Sequence, residues 1–182
     1  QYTFADVLTW DESDRIEIIN GEAFMMAPPS RIHQEILTSL FGQLYDYLKG
    51  KTCKVYPAPF GVRLFEEDGD YPEDVDTMVE PDISIVCDRG KLDKHGCKGA
   101  PDMVVEILSP STQRHDRLVK LGLYQRAGVR EYWIVDPQQQ SVTVYDLEHE
   151  AGPVLHAFSE KIRAGIYEDL VLDFNEFVSQ AW

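Results

Sequence analysis

Apolar positions in this chain form short runs separated by turn residues, with two longer stretches at helical spacing. Residues 3–10 read as a short helix with Thr3 as its cap. The runs 15–20 and 22–27 flank Asn20-Gly21, a dipeptide that signals a tight hairpin because both residues tolerate positive φ. Pro28-Pro29 ends that hairpin and Ser30 caps a longer helix. In that helix Ile32, Ile36, Leu40, Leu44 and Leu48 recur at helical spacing over 31–49, and Gly50 stops the run. Residues 53–65 read as a strand interrupted by Pro57 and Pro59, hence an edge or a bend. Strand 82–87, a basic loop 88–100 and strand 102–108 come after it. Beyond the break Ser109-Pro110-Ser111-Thr112 a helix is expected over about 113–127, ended by Gly128. Strands 130–136 and 141–147 come next, and the tail from 153 to 182 adds two strands and a short end helix. No repeat or linker divides the chain. The order predicts a single domain over 1–182 of mixed α/β class, a mixed sheet flanked by helices.

Three charges interrupt apolar patterns. Glu106 sits in Met103-Val104-Val105-Glu106-Ile107-Leu108, a run of the kind buried on both faces. A carboxylate there must be neutralised, paired or bound to a cation. Asp82 opens the strand Ile83-Ser84-Ile85-Val86. If 82–87 and 102–108 pair antiparallel, opposed residues sum to about 189 and Asp82 lies near Glu106–Ile107. Two converging carboxylates call for a divalent cation or a shared proton. Lys120 is the third. On a 3.6-residue helix it shares a sector with Asp116, Val119, Leu123, Tyr124 and Ala127, while Leu118 and Leu121 point away. Each charge also has a plainer reading. Glu106 and Lys120 would make a structural ion pair, Asp82 would begin a strand, and Asp116 with Lys120 would be an i,i+4 helix pair.

Charge distribution adds to this. The chain carries 17 Lys+Arg and 32 Asp+Glu for a net −15, which opposes general nucleic-acid binding. Yet nine basic residues lie between Arg89 and Arg130 against four acidic ones. Residues 66–76 hold seven acids and no base. They lack the glycine and terminal glutamate of an EF-hand, so a solvated loop is the expected form rather than a calcium site. Cys53, Cys87 and Cys97 show no paired spacing and read as free thiols, which points to the cytoplasm. No apolar run is long enough to span a membrane and no signal peptide is visible. His95-x-Cys97 lacks zinc-site partners, and no phosphate loop, Gly-x-Ser-x-Gly elbow or dinucleotide fingerprint occurs. The aromatics, 11% of residues, fall in strand and helix patterns and read as core.

Pro81-Asp82 followed two dozen residues later by Glu106, in a helix–three strands–helix–strand order, resembles the PD-(D/E)xK nuclease superfamily. The chain is more closely similar to a large bacterial family of restriction-endonuclease-like proteins. The matching pieces include Glu17-Ile18-Ile19-Asn20-Gly21-Glu22, Pro28-Pro29-Ser30 with His33, and Glu80-Pro81-Asp82-Ile83. They continue with Gly99-Ala100-Pro101-Asp102, Val105-Glu106-Ile107-Leu108-Ser109-Pro110, then Asp116, Lys120 and Tyr124, and end with Gly128-Val129-Arg130-Glu131-Tyr132-Trp133. The superfamily places a lysine two residues after the glutamate, where this chain has Leu108. The resemblance implies that the lysine has moved to the following helix as Lys120.

That resemblance implies a restriction-endonuclease-like αβββαβ core and a catalytic set of Asp82, Glu106 and Lys120. Asp82, Glu106 and the carbonyl of Ile107 would hold Mg²⁺, with Mn²⁺ as a substitute. Lys120 would orient or deprotonate water, or offset phosphate charge. Glu22 and His33 are second candidates, for an outer-shell metal contact and a phosphate contact or proton donor. Lys91, Lys94, Lys98 and Arg114 would meet the nucleic-acid backbone. The expected activity is endonucleolytic hydrolysis of DNA phosphodiesters, with homodimers as a natural arrangement for cutting two strands. The alternatives are a non-catalytic binding module that keeps the fold and a hydrolase of some other phosphate.

Overall fold

The computed structural model describes residues 1–110 and 115–178. The N-terminal helix α1 is short, Phe4–Val7, with the Thr3 N–H donating to Asp6 Oδ2 at 2.7 Å. The hairpin forms as expected. Strands β1 (Ile16–Ile19) and β2 (Glu22–Met25) pair antiparallel with Ile19 opposite Glu22. Asn20 and Gly21 turn at φ of 50° and 80°, the left-handed pair that a two-residue hairpin needs. Helix α2 spans Arg31–Leu48, and Ser30 Oγ accepts from the His33 N–H at 3.2 Å. That cap fixes the first turn, which carries His33.

The expected strand over 53–65 divides at its prolines. Its first part is β3 (Lys54–Pro57), an edge strand of the central sheet, and its second is β4 (Val62–Arg63). β5 (Ile83–Val86) comes next. The basic segment expected as a loop instead folds. A 3-10 turn at Arg89–Lys91 leads into β6 (Leu92–Asp93) and β7 (Gly96–Lys98), which with β4 make a three-stranded sheet. Its charges are consumed locally, as Arg63 pairs with Glu66 and Asp93, and Lys98 with Asp68 at 2.7 Å. These pairs also tie down part of the acidic stretch expected to be simply solvated.

β8 (Met103–Ile107), β9 (Glu131–Asp136), β10 (Ser141–Asp146) and β11 (Val154–Ala157) complete a six-stranded sheet in the order β11-β10-β9-β8-β5-β3. β8 and β9 run parallel and the other neighbours antiparallel, so the sheet is mixed. The tail holds β11, β12 (Lys161–Arg163) and β13 (Val171–Asp173), one strand more than expected, and a 3-10 turn at Asn175–Phe177.

The sheet is covered on both faces, which explains why its central strands lack polar alternation. Ile83, Ile85, Met103, Val105 and Trp133 pack against Ile36, Leu40 and Leu44 of α2. Val86, Val104, Tyr132 and Ile134 face the other way, onto Leu123 and Tyr124. Those two belong to α3 (Leu121–Ala127), which a π-helical turn at His115–Lys120 precedes. The π turn changes one expectation. Its hydrogen bonds span five residues rather than four, so angular positions before Leu121 no longer follow a 3.6-residue wheel. Val119, expected on the inner face, is 41% exposed, whereas Lys120 is 2% exposed.

The cysteines also differ from expectation. Lys54 pairs with Val86 in the β3–β5 register, which sets Cys53 across from Cys87, and the two form a disulfide. Only Cys97 is a free, buried thiol. The sequence shows no spacing signal because the pairing is set by strand register. Burial pushes the Cys97 thiol up to about 11. Ellman's reagent is therefore expected to find almost no reactive thiol in the native protein at pH 8 and one per chain in denaturant. Three thiols in denaturant without reductant would contradict the disulfide.

Candidate functional site

The β5–β8 pairing builds the centre of the site. Ile83 stands opposite Val105, Ser84 opposite Val104 and Ile85 opposite Met103. Paired numbers sum to 188 against the expected 189, and one further step sets Asp82 across from Glu106. The Ile107 N–H donates to Asp82 Oδ2 at 2.7 Å, which fixes that carboxylate at the end of β8. Glu106 points to the face covered by α3. Its Oε1 accepts from Lys120 Nζ at 3.0 Å and from the Tyr124 hydroxyl at 2.7 Å. Burial and the Glu106 charge push the Tyr124 pKa well above 10, so its hydroxyl stays a donor. The three residues of the expected catalytic set thus line one cavity of about 330 Å³.

A fourth buried charge completes the floor. Glu17, in β1, accepts from Lys120 Nζ at 2.8 Å and from the Glu80 N–H at 2.9 Å through the same oxygen. The ammonium therefore lies between two carboxylates. The N-terminal hairpin reaches this place because Ile18 bridges Met78 through two backbone hydrogen bonds of 2.8 and 2.7 Å. Glu17 is absent from the site residues expected from the sequence. Its signal was the one that exposed Glu106: a carboxylate within an apolar run, Ile16-Glu17-Ile18-Ile19. Glu22, the hairpin acid expected at the site, is exposed on β2 and does not line the cavity.

His33 does reach the site. The first turn of α2 brings its Nε2 to 3.1 Å from Asp82 Oδ1. Burial opposes protonation of the ring, but the hydrogen bond and charge of Asp82 outweigh it and raise the His33 pKa above 6.5. Arg15 stands at the rim, bonded to Glu80 at 3.1 Å.

The lysines expected on nucleic acid are not gathered here. Lys91 Nζ donates to the Ala100 carbonyl at 2.8 Å, Lys98 pairs with Asp68, and Lys94 is exposed on the small sheet's β6–β7 turn. Arg114 lies outside the described residues.

The donor set suits a hard divalent cation. Asp82 and Glu106 offer carboxylate oxygens from the β5 and β8 ends of one cavity, which Ile107 also lines. Among the described residues no group of three His, Cys, Asp or Glu side chains is arranged to hold an ion. Two carboxylates would leave the other positions of a hard cation to water and further oxygens.

Comparison with known proteins agrees with this architecture. A crystal structure described as a putative nuclease belonging to DUF820, from Anabaena variabilis, superposes with a TM-score of 0.77 over 98% of each chain at 19% identity, which shows the fold is shared. The uncharacterized protein slr1290 of Synechocystis sp. is 25% identical over 143 residues, 77% of this chain and 71% of that protein. The restriction-endonuclease-like class expected from the sequence is thus the observed one. The Uma2 family, described as "Putative restriction endonuclease", matches residues 4–173. That span runs from the start of α1 to the end of β13, and this chain belongs to the Uma2 family.

Proposed function

We propose that this protein is a Mg²⁺-dependent endonuclease acting on DNA phosphodiester bonds, with Asp82, Glu106 and Lys120 as its working residues. The observation that carries the reading is the convergence of two carboxylates from opposed strand positions with a lysine ammonium 3.0 Å from one of them. Asp82, Glu106 and the Ile107 carbonyl would hold the ion. Bound there, it would polarise a phosphate oxygen and lower the pKa of a water.

The protein's own groups supply the rest. Lys120 Nζ is fixed before substrate arrives, so its charge meets developing negative charge on phosphate without reorganisation. Tyr124 holds Glu106 in one rotamer by donating to Oε1. The Ile107 N–H and His33 do the same for the two oxygens of Asp82. Gln34 Oε1, 2.9 Å from the other ring nitrogen of His33, holds the imidazole in that orientation, so His33 acts here by positioning Asp82.

Plasmid nicking in Mg²⁺ or Mn²⁺ at low salt tests the proposal. Wild type is expected to nick and Glu106→Gln to be slower by at least about 100-fold. Equal rates in the two would remove Glu106 from the chemistry.

A further inference from the structure

The cavity has two unlike sides. Its floor is ionic, with Glu17, Asp82, Glu106 and Lys120 all buried. Its wall is apolar, made by Phe24 and Met26 of the hairpin with Ala27 and Pro29 beyond it. Side chains alternate along β2, so Phe24, opposite Glu17, and Met26 share the site's side, while Met25, 79% exposed, points the other way. Arg15 joins the wall to the floor, since it bonds Glu80 and lies 3.7 Å from Met26 Sδ.

Three observations bear on what could enter. First, the ionic floor is recessed. A phosphodiester held on the outside of a rigid duplex does not reach a buried floor unless its nucleotide leaves the stack, which costs unpairing energy. Second, duplex affinity comes largely from Lys and Arg on successive phosphates. The chain carries a net −15, and Lys91 and Lys98 are turned to Ala100 and Asp68. Third, about 330 Å³ is at the small end of the range of small-molecule sites, roughly 300–1,000 Å³. The Phe24 ring and the Met26 thioether on the Glu17 side of the hairpin, beside a floor that would meet phosphate through the proposed cation and Lys120, match a nucleotide's own division into an apolar base face and an anionic linkage.

We infer that the site takes an unpaired nucleotide, with its base against the Phe24–Met26 wall and its phosphate at the Asp82–Glu106–Lys120 floor. The substrate class is therefore single-stranded nucleic acid, or single-stranded stretches such as flaps and gaps, in preference to continuous duplex. The inference rests on the proposed hydrolysis for its phosphate end, while the wall contact stands on the cavity alone.

The test compares wild type, Met26→Ala and Phe24→Ala on a fluorescent single-stranded oligonucleotide and its duplex. Cleavage is followed in Mn²⁺ and binding by anisotropy in Ca²⁺. Met26 lies past the end of β2 and is only partly buried, so its variant keeps the fold if Phe24→Ala does not. The expected result is single-strand cleavage at least about tenfold faster than duplex cleavage, with single-strand binding weakened several-fold in the wall variants. Duplex cleaved as fast as single strand, with both variants unchanged, would overturn the inference and leave the nuclease reading standing. Single-strand binding lost in the variants without cleavage of either substrate would support the inference and sink the hydrolysis. Neither binding nor cleavage by the wild type would overturn both.

Discussion

Lys120→Met is expected to lower folding stability by about 3–5 kcal/mol, the range for breaking a buried charge pair from one side. Glu17 and Glu106 would then share a buried site without the ammonium that now lies 2.8 and 3.0 Å from them. Methionine fills similar volume, so the loss would report electrostatics rather than a cavity. The measurement is the urea midpoint of each variant at pH 7. Adding Glu17→Gln to Lys120→Met removes one of the two carboxylate charges and is expected to recover at least about 1 kcal/mol. A loss below about 1 kcal/mol in the single variant, or no recovery in the double, would show that the cluster is not held by this lysine.

The largest expected effect on activity comes from Asp82→Asn. Asparagine keeps an oxygen for the Ile107 N–H, so the end of β8 stays in place. The change removes the charge shared with His33 and offered to a cation. Mn²⁺ binding, measured by calorimetry, is expected to weaken at least tenfold, and nicking to slow by about 100-fold or more. Unchanged nicking with weakened Mn²⁺ binding would separate the ion from the reaction.

Much of this site could be read from the sequence, for a specific reason. Glu106 and Lys120 each break an otherwise apolar pattern, and buried charge is costly enough that such breaks mark partners. The antiparallel register could be guessed to within one residue from strand ends alone. Glu17 carried the same signal but lies in a short strand whose burial depends on a bridge to Met78, a contact between distant segments. The π turn was illegible because helical spacing assumes 3.6 residues throughout. Its effect was to move Val119 out while Lys120 stayed in. The basic segment misled in another way. Its lysines formed a cluster in sequence, yet Lys98 found Asp68 and Lys91 found a carbonyl, so local charge excess did not become a surface. The Cys53–Cys87 bridge came from register, which cysteine counting does not see.

The Lys120–Glu17 contact joins residues 103 positions apart. On a ribosome, the hairpin emerges long before the lysine that neutralises it. At typical elongation rates the wait is roughly 5–20 s. During that interval the hairpin acid stays hydrated, and no prefix of the chain ending before residue 120 contains a complete ionic floor. A nascent or truncated chain therefore cannot carry the assembled charge cluster. Synthesis itself delays the appearance of the assembled cluster until residue 120 has been made.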